Sequence, residues 1–195
     1  MTTPEGPEPI DQLTQDEWAL YRPPDTLSDE LIARAEAEVE ALTFRPAPRW
    51  LGSFGILCFG EGYGHRRQLP PACREVAIIV QRKIWEIYGG PSVPNPNAAF
   101  VQRYEPGFVV KKHVDPKSNK GITAILTLGR FHPGPTVRIW PKSGNHHPHS
   151  VQPNHADILV LPCTINGEQG PAHAVTGHFL QEGVRYAIIL NHIQL

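Results

Sequence analysis

Twenty-one prolines are spread over a chain of 195 residues, and they set the first limit on its fold. Proline lacks an amide hydrogen and collides with the preceding helical turn, so each interior proline would break a helix. A helical bundle is excluded, and many short strands joined by turns fit instead. At this length one domain buries a core without disulfides or a structural metal. The cysteines, Cys58, Cys73 and Cys163, are odd in number and widely spaced. Neither a disulfide framework nor a CxxC zinc site is indicated, and a reducing, cytoplasmic setting is expected. The N-terminal residues lack a charged-then-apolar leader pattern, and no apolar run is long enough to span a bilayer. No membrane association is expected, and a monomer is the expected state. A net charge of −1 exerts no general pull on nucleic acid, although a local basic patch would.

Composition changes along the chain. Residues 1–27 are rich in Pro, Glu, Asp and Thr and read as an irregular extension, with Trp18 and Tyr21 docking on the core. Ser28 is a good N-cap, Asp29 and Glu30 favour a first turn, and Leu31, Ala35, Val39 and Leu42 recur at helical spacing. A helix over 28–42 follows. The run 54–59 reads as a strand and is followed by a glycine-rich loop with Tyr63, His65, Arg66 and Arg67. Pro70 and Pro71 suit the start of a second amphipathic helix, through Val76, Ile79, Val80, Ile84 and Ile87 to Gly89-Gly90. Beyond Asn97 the pattern predicts strands over 98–104, 108–114, 122–128, 137–140, 158–161 and 184–190. Helices first and strands afterwards indicate an α+β fold with helices on one face of a β-sandwich. The expected division is an extension (1–27), then one domain of helices and lid (28–96) and sandwich core (97–195). The tract Asn145-His146-His147-Pro148-His149 reads as a solvated loop.

At the end of the strand 108–114 lies His113-Val114-Asp115. Strand residues two apart share a face, so an imidazole nitrogen and a carboxylate oxygen converge on one point. This is two-thirds of a 2-His-1-carboxylate triad, which binds non-haem Fe(II) and leaves three positions open. Alone, His-x-Asp is a weak signal. Nine other histidines compete for the third place (10 − 1). His146, His147 and His149 lie in the proline-broken tract, His65 in the glycine-rich loop, and His132 and His155 at strand edges. His173 is better placed, after the strand 157–161 and a short loop. Twelve positions later (185 − 173), Arg185 interrupts an otherwise apolar strand. A buried guanidinium needs a carboxylate or a hydrogen-bond network, and its fork fits a carboxylate bidentately. A structural salt bridge, or the wet face of an edge strand, would account for an isolated case.

The motif Tyr104-x-x-Gly107-x5-His113-x-Asp115, then His173, then Arg185-Tyr186, resembles the iron- and 2-oxoglutarate-dependent oxygenase superfamily. It is most similar to the AlkB branch, and the lead-in Asn97 to Gly107 resembles the strand and turn before the iron ligands there. The resemblance covers about residues 50–195. It implies a double-stranded β-helix (jelly-roll) core, Fe(II) on His113, Asp115 and His173, and O2 and 2-oxoglutarate as co-substrates. It also implies that Arg185 pairs with the far carboxylate of 2-oxoglutarate and that Tyr104 hydrogen-bonds it. Gln102 stands where the family often has asparagine. AlkB itself carries a second arginine six positions after the first, and this chain has Asn191 there (185 + 6). That loosens the tie to DNA repair and leaves the metal chemistry untouched.

In AlkB-like proteins the region before the barrel covers the substrate, which here implies about residues 50–69. Trp50 or Tyr63 would stack on a flat base and Arg66 would meet a phosphate; the plainer account makes Trp50 core and Arg66 solvated. Lys111, Lys112, Lys117 and Lys120 flank the iron motif, Lys111 in phase with His113 and Lys112 pointing out. The expected activity is hydroxylation of a C–H group, including an N-methyl group, with release of succinate and CO2, on a modified nucleobase. The same chemistry on a small molecule, amino acid or protein side chain stays open, favoured by the near-neutral charge and Asn191. A non-catalytic metal-binding β-sandwich is the reading of another class, and Arg185 argues against it.

Overall fold

The computed structural model describes residues 19–21, 27–60, 67–88, 93–129, 131–132, 136–142, 147–176 and 182–194. In chain order the elements are β1 (Ala19–Tyr21), α1 (Asp29–Glu40), β2 (Arg45–Pro46), β3 (Gly52–Ser53), β4 (Gly55–Phe59) and α2 (Pro71–Tyr88). The strands β5 (Ala98–Tyr104), β6 (Val109–His113), β7 (Asn119–Leu128), β8 (Phe131–His132) and β9 (Thr136–Trp140) follow. The last are β10 (His149–Val151), β11 (Ile158–Pro162), β12 (Ala172–Thr176), β13 (Glu182–Gly183) and β14 (Arg185–Ile193). They form a major sheet, β1-β11-β7-β14-β5-β4-β2, and a minor sheet, β10-β9-β12-β6-β3, with β13 and β8 paired separately. This is the expected α+β jelly roll with its helices on one sheet.

The helices begin where local chemistry permits. Ser28 has an extended backbone, and its hydroxyl accepts from the amide of Leu31 at 3.2 Å. That satisfies one of the unpaired donors at a helix start. Pro71 opens α2, a position whose amide has no intrahelical partner to lose. The expected glycine stop of α2 at Gly89-Gly90 lies outside the described residues, as do Trp18, Tyr63, His65, Arg66 and His146.

Strand alternation then sorts side chains into two cores. On β14, Tyr186, Ile188 and Leu190 face the helices and pack with Leu31, Val39, Val76 and Ile84. Ala187 and Ile189 face the other way, into the space between the sheets with Phe54, Tyr104 and Val110. Arg185 has the parity of this second set. On β5, Ala99 and Val101 join the helical core, whereas Tyr104 joins the inter-sheet core.

Several expectations need correction. His173 lies on a strand, β12, that was not among those expected. The segment Ala-His-Ala-Val-Thr has small outward residues and carries little alternation for a sequence reading to find. His149 opens β10 at the end of the histidine tract. Within the extension expected to be irregular, Ala19–Tyr21 pair with β11 as an edge strand. Part of the expected lid is sheet: β3 pairs with β6, and β4 with β5.

Gly170, just before β12, lies against the end of β11. A Cβ there would stand 1.9 Å from the carbonyl oxygen of Pro162, a backbone atom that cannot step aside. Gly170→Ala should destabilise the fold by about 1–3 kcal/mol, the usual cost of overpacking. Denaturant titration measures this, and an unchanged midpoint would refute the close approach.

Candidate metal centre

His113 ends β6 and His173 lies on the neighbouring β12, and the two are direct cross-strand partners. Their rings stand 4.4 Å apart, centroid to centroid. Asp115, two residues beyond His113, brings Oδ1 to 3.9 Å from Nε2 of His113 and 4.0 Å from Nε2 of His173. The three ligand atoms lie within 4.8 Å of one another, among the described residues a group able to hold a metal ion. The Nδ1 atoms are engaged elsewhere, His113 with the Lys111 carbonyl at 2.7 Å and His173 with the Pro171 carbonyl at 3.3 Å. A ring that donates from Nδ1 presents an unprotonated Nε2, the form a metal requires.

Asp115 is held from behind. The thiol of Cys163 donates to its Oδ2 at 3.2 Å, and Gln169 donates to its backbone carbonyl at 2.8 Å. Cys163 is itself 2.8 Å from the hydroxyl of Thr123. These contacts were not foreseen in the sequence, where Cys163 and Gln169 stand 48 and 54 positions from Asp115.

The triad opens onto a cavity of about 310 Å³ between the sheets, with walls that include Gln102, Tyr104, Thr123, Ile125, Ile189 and Asn191. The volume is at the lower end of the roughly 300–1,000 Å³ common for small-molecule sites. Gln102, Tyr104 and Asn191 thus share the cavity with the triad. Tyr104 and Gln102 are hydrogen-bonded to each other through the phenol and the amide oxygen. Asn191 is buried, and its Oδ1 has no partner.

Arg185 sits one layer deeper. Its guanidinium lies 5.1 Å from the centroid of the Tyr104 ring, which stands on the cavity wall. Only 2 % of the residue is exposed. Nη2 donates to Thr127 at 3.1 Å, while Nε and Nη1 have no hydrogen-bond partner among the described residues. Neither a structural salt bridge nor a wet edge is found among the described residues, for β14 lies between β7 and β5. Burial lowers the pKa of Arg185, and burial pushes the Tyr104 phenol up to about 12 against the pull of the arginine.

Trp50 is 68 % exposed, so it is not core; with Val114, 42 % exposed, it lines the cavity. Lys111 is exposed and its ammonium reaches the Arg49 carbonyl at 3.0 Å, so it does not point inward despite its phase. Lys112 points outward, its ammonium 4.3 Å from the Trp140 ring centroid.

Neither a family profile nor a curated protein matches the sequence. Solved structures do match in three dimensions. A Pseudomonas putida prolyl-4-hydroxylase is 15 % identical, with a TM-score of 0.65 over 91 % of this chain and 92 % of that one. A 2OG-Fe(II) oxygenase family oxidoreductase from Burkholderia pseudomallei is 15 % identical, with a TM-score of 0.68 over 90 % of this chain and 84 % of that one. The fold is that of the 2-oxoglutarate/Fe(II) oxygenases. OsALKBH1, also 15 % identical, matches with a TM-score of 0.60 over 90 % of this chain and 97 % of that one. The AlkB branch is therefore one neighbour among several, and the fold alone is common to them. Among the described residues no helix is long and apolar enough to cross a membrane, and the three cysteines are free thiols.

Burial first, and then the charge of His173, hold the pKa of His113 below its ordinary 6.5, against the Lys111 carbonyl and Asp115. As pH falls, the unfolded chain takes up this proton before the folded chain does. The sign is fixed: metal-free stability falls with pH through about 6.5 and levels off below the folded value. Denaturant midpoints between pH 7.5 and 5.5 should show this slope, reduced in His113→Gln. An equal slope in the variant would remove the assignment.

Proposed function

We propose that this protein is an Fe(II)- and 2-oxoglutarate-dependent dioxygenase that hydroxylates a C–H group. Arg185 carries the reading. A fully buried guanidinium with two unpartnered nitrogens, one ring behind a metal-binding triad, has no structural use. A dicarboxylate bound at the metal would supply the missing acceptors, and the fork geometry of arginine matches a carboxylate. A protein that merely stores metal has no need of it.

The residues fit both groups. His113, Asp115 and His173 would hold iron, a donor set of two imidazoles and one carboxylate that suits Fe(II) and leaves three places free. Bound iron, with 2-oxoglutarate and O2, supplies the oxidation: the C–H becomes C–OH, and succinate and CO2 leave. The chain does the rest. Arg185 would neutralise the far carboxylate, which requires the Tyr104 ring to turn aside. Gln102, Tyr104 and Asn191 offer polar groups along the co-substrate, and the apolar walls exclude bulk water.

For the substrate we infer a modified nucleobase in a nucleic acid strand. Two exposed apolar side chains, Trp50 and Val114, lie on the cavity wall, and an indole there gives a flat ring a stacking surface. Charge is segregated behind the near-neutral total. The five strands of the minor sheet carry Lys111, Lys112 and Arg138 and no acid. Helix α1 carries five acids and one base, and α2 two acids and three bases, on the other side of the molecule. A shallow hollow lined by Lys112, Lys117, Trp140 and Lys142, with one acid, Glu168, shares Val114 with the metal cavity. Phosphates beside such a hollow would keep a base at the cavity mouth. An N-methyl substrate would lose formaldehyde after hydroxylation.

Succinate formation from 2-oxoglutarate should require Fe(II) and O2 and should fall at least about a hundredfold in Asp115→Ala. Undiminished turnover in that variant would end the dioxygenase reading. Formaldehyde release from methylated oligonucleotides, set against a panel of free small molecules and amino acids, tests the substrate. Turnover confined to the panel would overturn the nucleobase reading alone.

Arg185→Met separates function from structure. Removing a poorly paired buried charge should leave the ligand-free protein as stable or more stable, by up to about 1–4 kcal/mol. The same variant should lose the rise in Tm that 2-oxoglutarate gives the metal-loaded protein. A large loss of ligand-free stability would mean that Arg185 is structural after all.

A further inference from the structure

The two oxygens of Asp115 have different neighbours. Oδ1 faces the Nε2 atoms of both histidines, at 3.9 and 4.0 Å. Oδ2 accepts the Cys163 thiol at 3.2 Å, and that sulfur meets the Thr123 hydroxyl at 2.8 Å. Cys163 is 1 % exposed and Thr123 4 %, so the relay is sealed from water. A thiol carries a single proton, and the geometry aims it at Oδ2. With that proton aimed at Oδ2, the Thr123 hydroxyl donates in turn to the sulfur.

The backbone is fixed from the same segment. The Gln169 amide holds the Asp115 carbonyl at 2.8 Å, and the Pro171 carbonyl holds Nδ1 of His173. Residues 163–171 therefore orient two of the three candidate ligands. The chain between them is anchored to β7, with the Cys163 amide donating to Gly121 and the Thr164 amide to Asn119.

We propose that Cys163 is a positioning residue: the relay Thr123–Cys163–Asp115 keeps Oδ2 off the metal, so that Asp115 ligates through Oδ1 alone. The inference rests on the dioxygenase reading and makes it more specific. A carboxylate can bind a metal through one oxygen or two. With two histidines and one carboxylate oxygen, an octahedral ion keeps three places, two for the keto-acid end of 2-oxoglutarate and one for O2. A second carboxylate oxygen would take one of these. Cys163 thereby sets how many positions stay open without touching metal or substrate, and outer partners of this kind typically change metal-site properties by about 10–100-fold.

The test compares wild type with Cys163→Ala, Cys163→Ser and Thr123→Val, all full length and loaded anaerobically. With Mn(II), calorimetry should show 2-oxoglutarate binding about tenfold weaker in Cys163→Ala while Mn(II) itself binds as well as in wild type or better. With Co(II) and no co-substrate, the visible absorption bands should shift in Cys163→Ala as the carboxylate turns to both oxygens. Cys163→Ser, which restores a donor, should return both readouts toward wild type, and Thr123→Val should shift them partway. A packing role alone would weaken metal and co-substrate binding together and would not be rescued by serine. Identical Co(II) spectra in wild type and Cys163→Ala, or a serine variant no closer to wild type than alanine, would overturn the proposal. Absence of 2-oxoglutarate binding to the metal-loaded wild type would instead count against the dioxygenase reading, and the Co(II) spectra would still decide the role of Cys163.

Discussion

An unpaired positive charge between two sheets is the constraint that the sandwich is built to bear. Arg185 is buried on a central strand, with one hydrogen bond to Thr127 and two nitrogens without acceptors. Such a group works against folding, since among the described residues no carboxylate compensates its lost hydration. The surrounding cores must offset it, and they are extensive on both faces of the major sheet. Under the proposed function an acid bound in the cavity would relieve this cost. Stability would then be coupled to occupancy of the cavity, as expected where activity and stability pull in opposite directions.

The same alternation that buries Arg185 made much of the fold legible. On β14, Arg185 and Asn191 share the phase of Ala187 and Ile189, and on β5 Gln102 shares that of Tyr104. His-x-Asp brings its two residues together although β6 ends at His113 and Asp115 lies two residues beyond it. The helices were readable from Ser28, Pro71 and apolar spacing. What escaped was whatever depends on contacts remote in sequence. The strand β12 has two alanines and a threonine, and only its pairing with β6 and β9 makes it a strand. Cys163 and Gln169 reach Asp115 through a connection whose path no local pattern encodes. Trp50 read more plainly as core than as rim, and the structure exposes it, because an aromatic residue beside a short strand carries no phase.

Net charge left the substrate open for a related reason. A sum of −1 carries no information about where the charges lie. The first helix carries five acids and one base, whereas the strands of the minor sheet carry three bases and no acid. The field at the cavity mouth is set by the near group, since the far one is screened within about a Debye length, roughly 8–10 Å.

The triad is carried by the minor sheet and the strand loop beside it, whereas Arg185 belongs to the major sheet. A metal held by the triad and the Arg185 guanidinium would therefore face each other from opposite layers, whose backbones in packed sheets stand about 10 Å apart. Under the proposed function the sandwich acts as a caliper. An oxo acid one carbon shorter would leave a gap at one jaw, and one carbon longer would be forced against the other. No single side chain sets that gauge. A substitution within the cavity alters how tightly an acid is held, but a change in the length of acid accepted demands a shift of one sheet against the other.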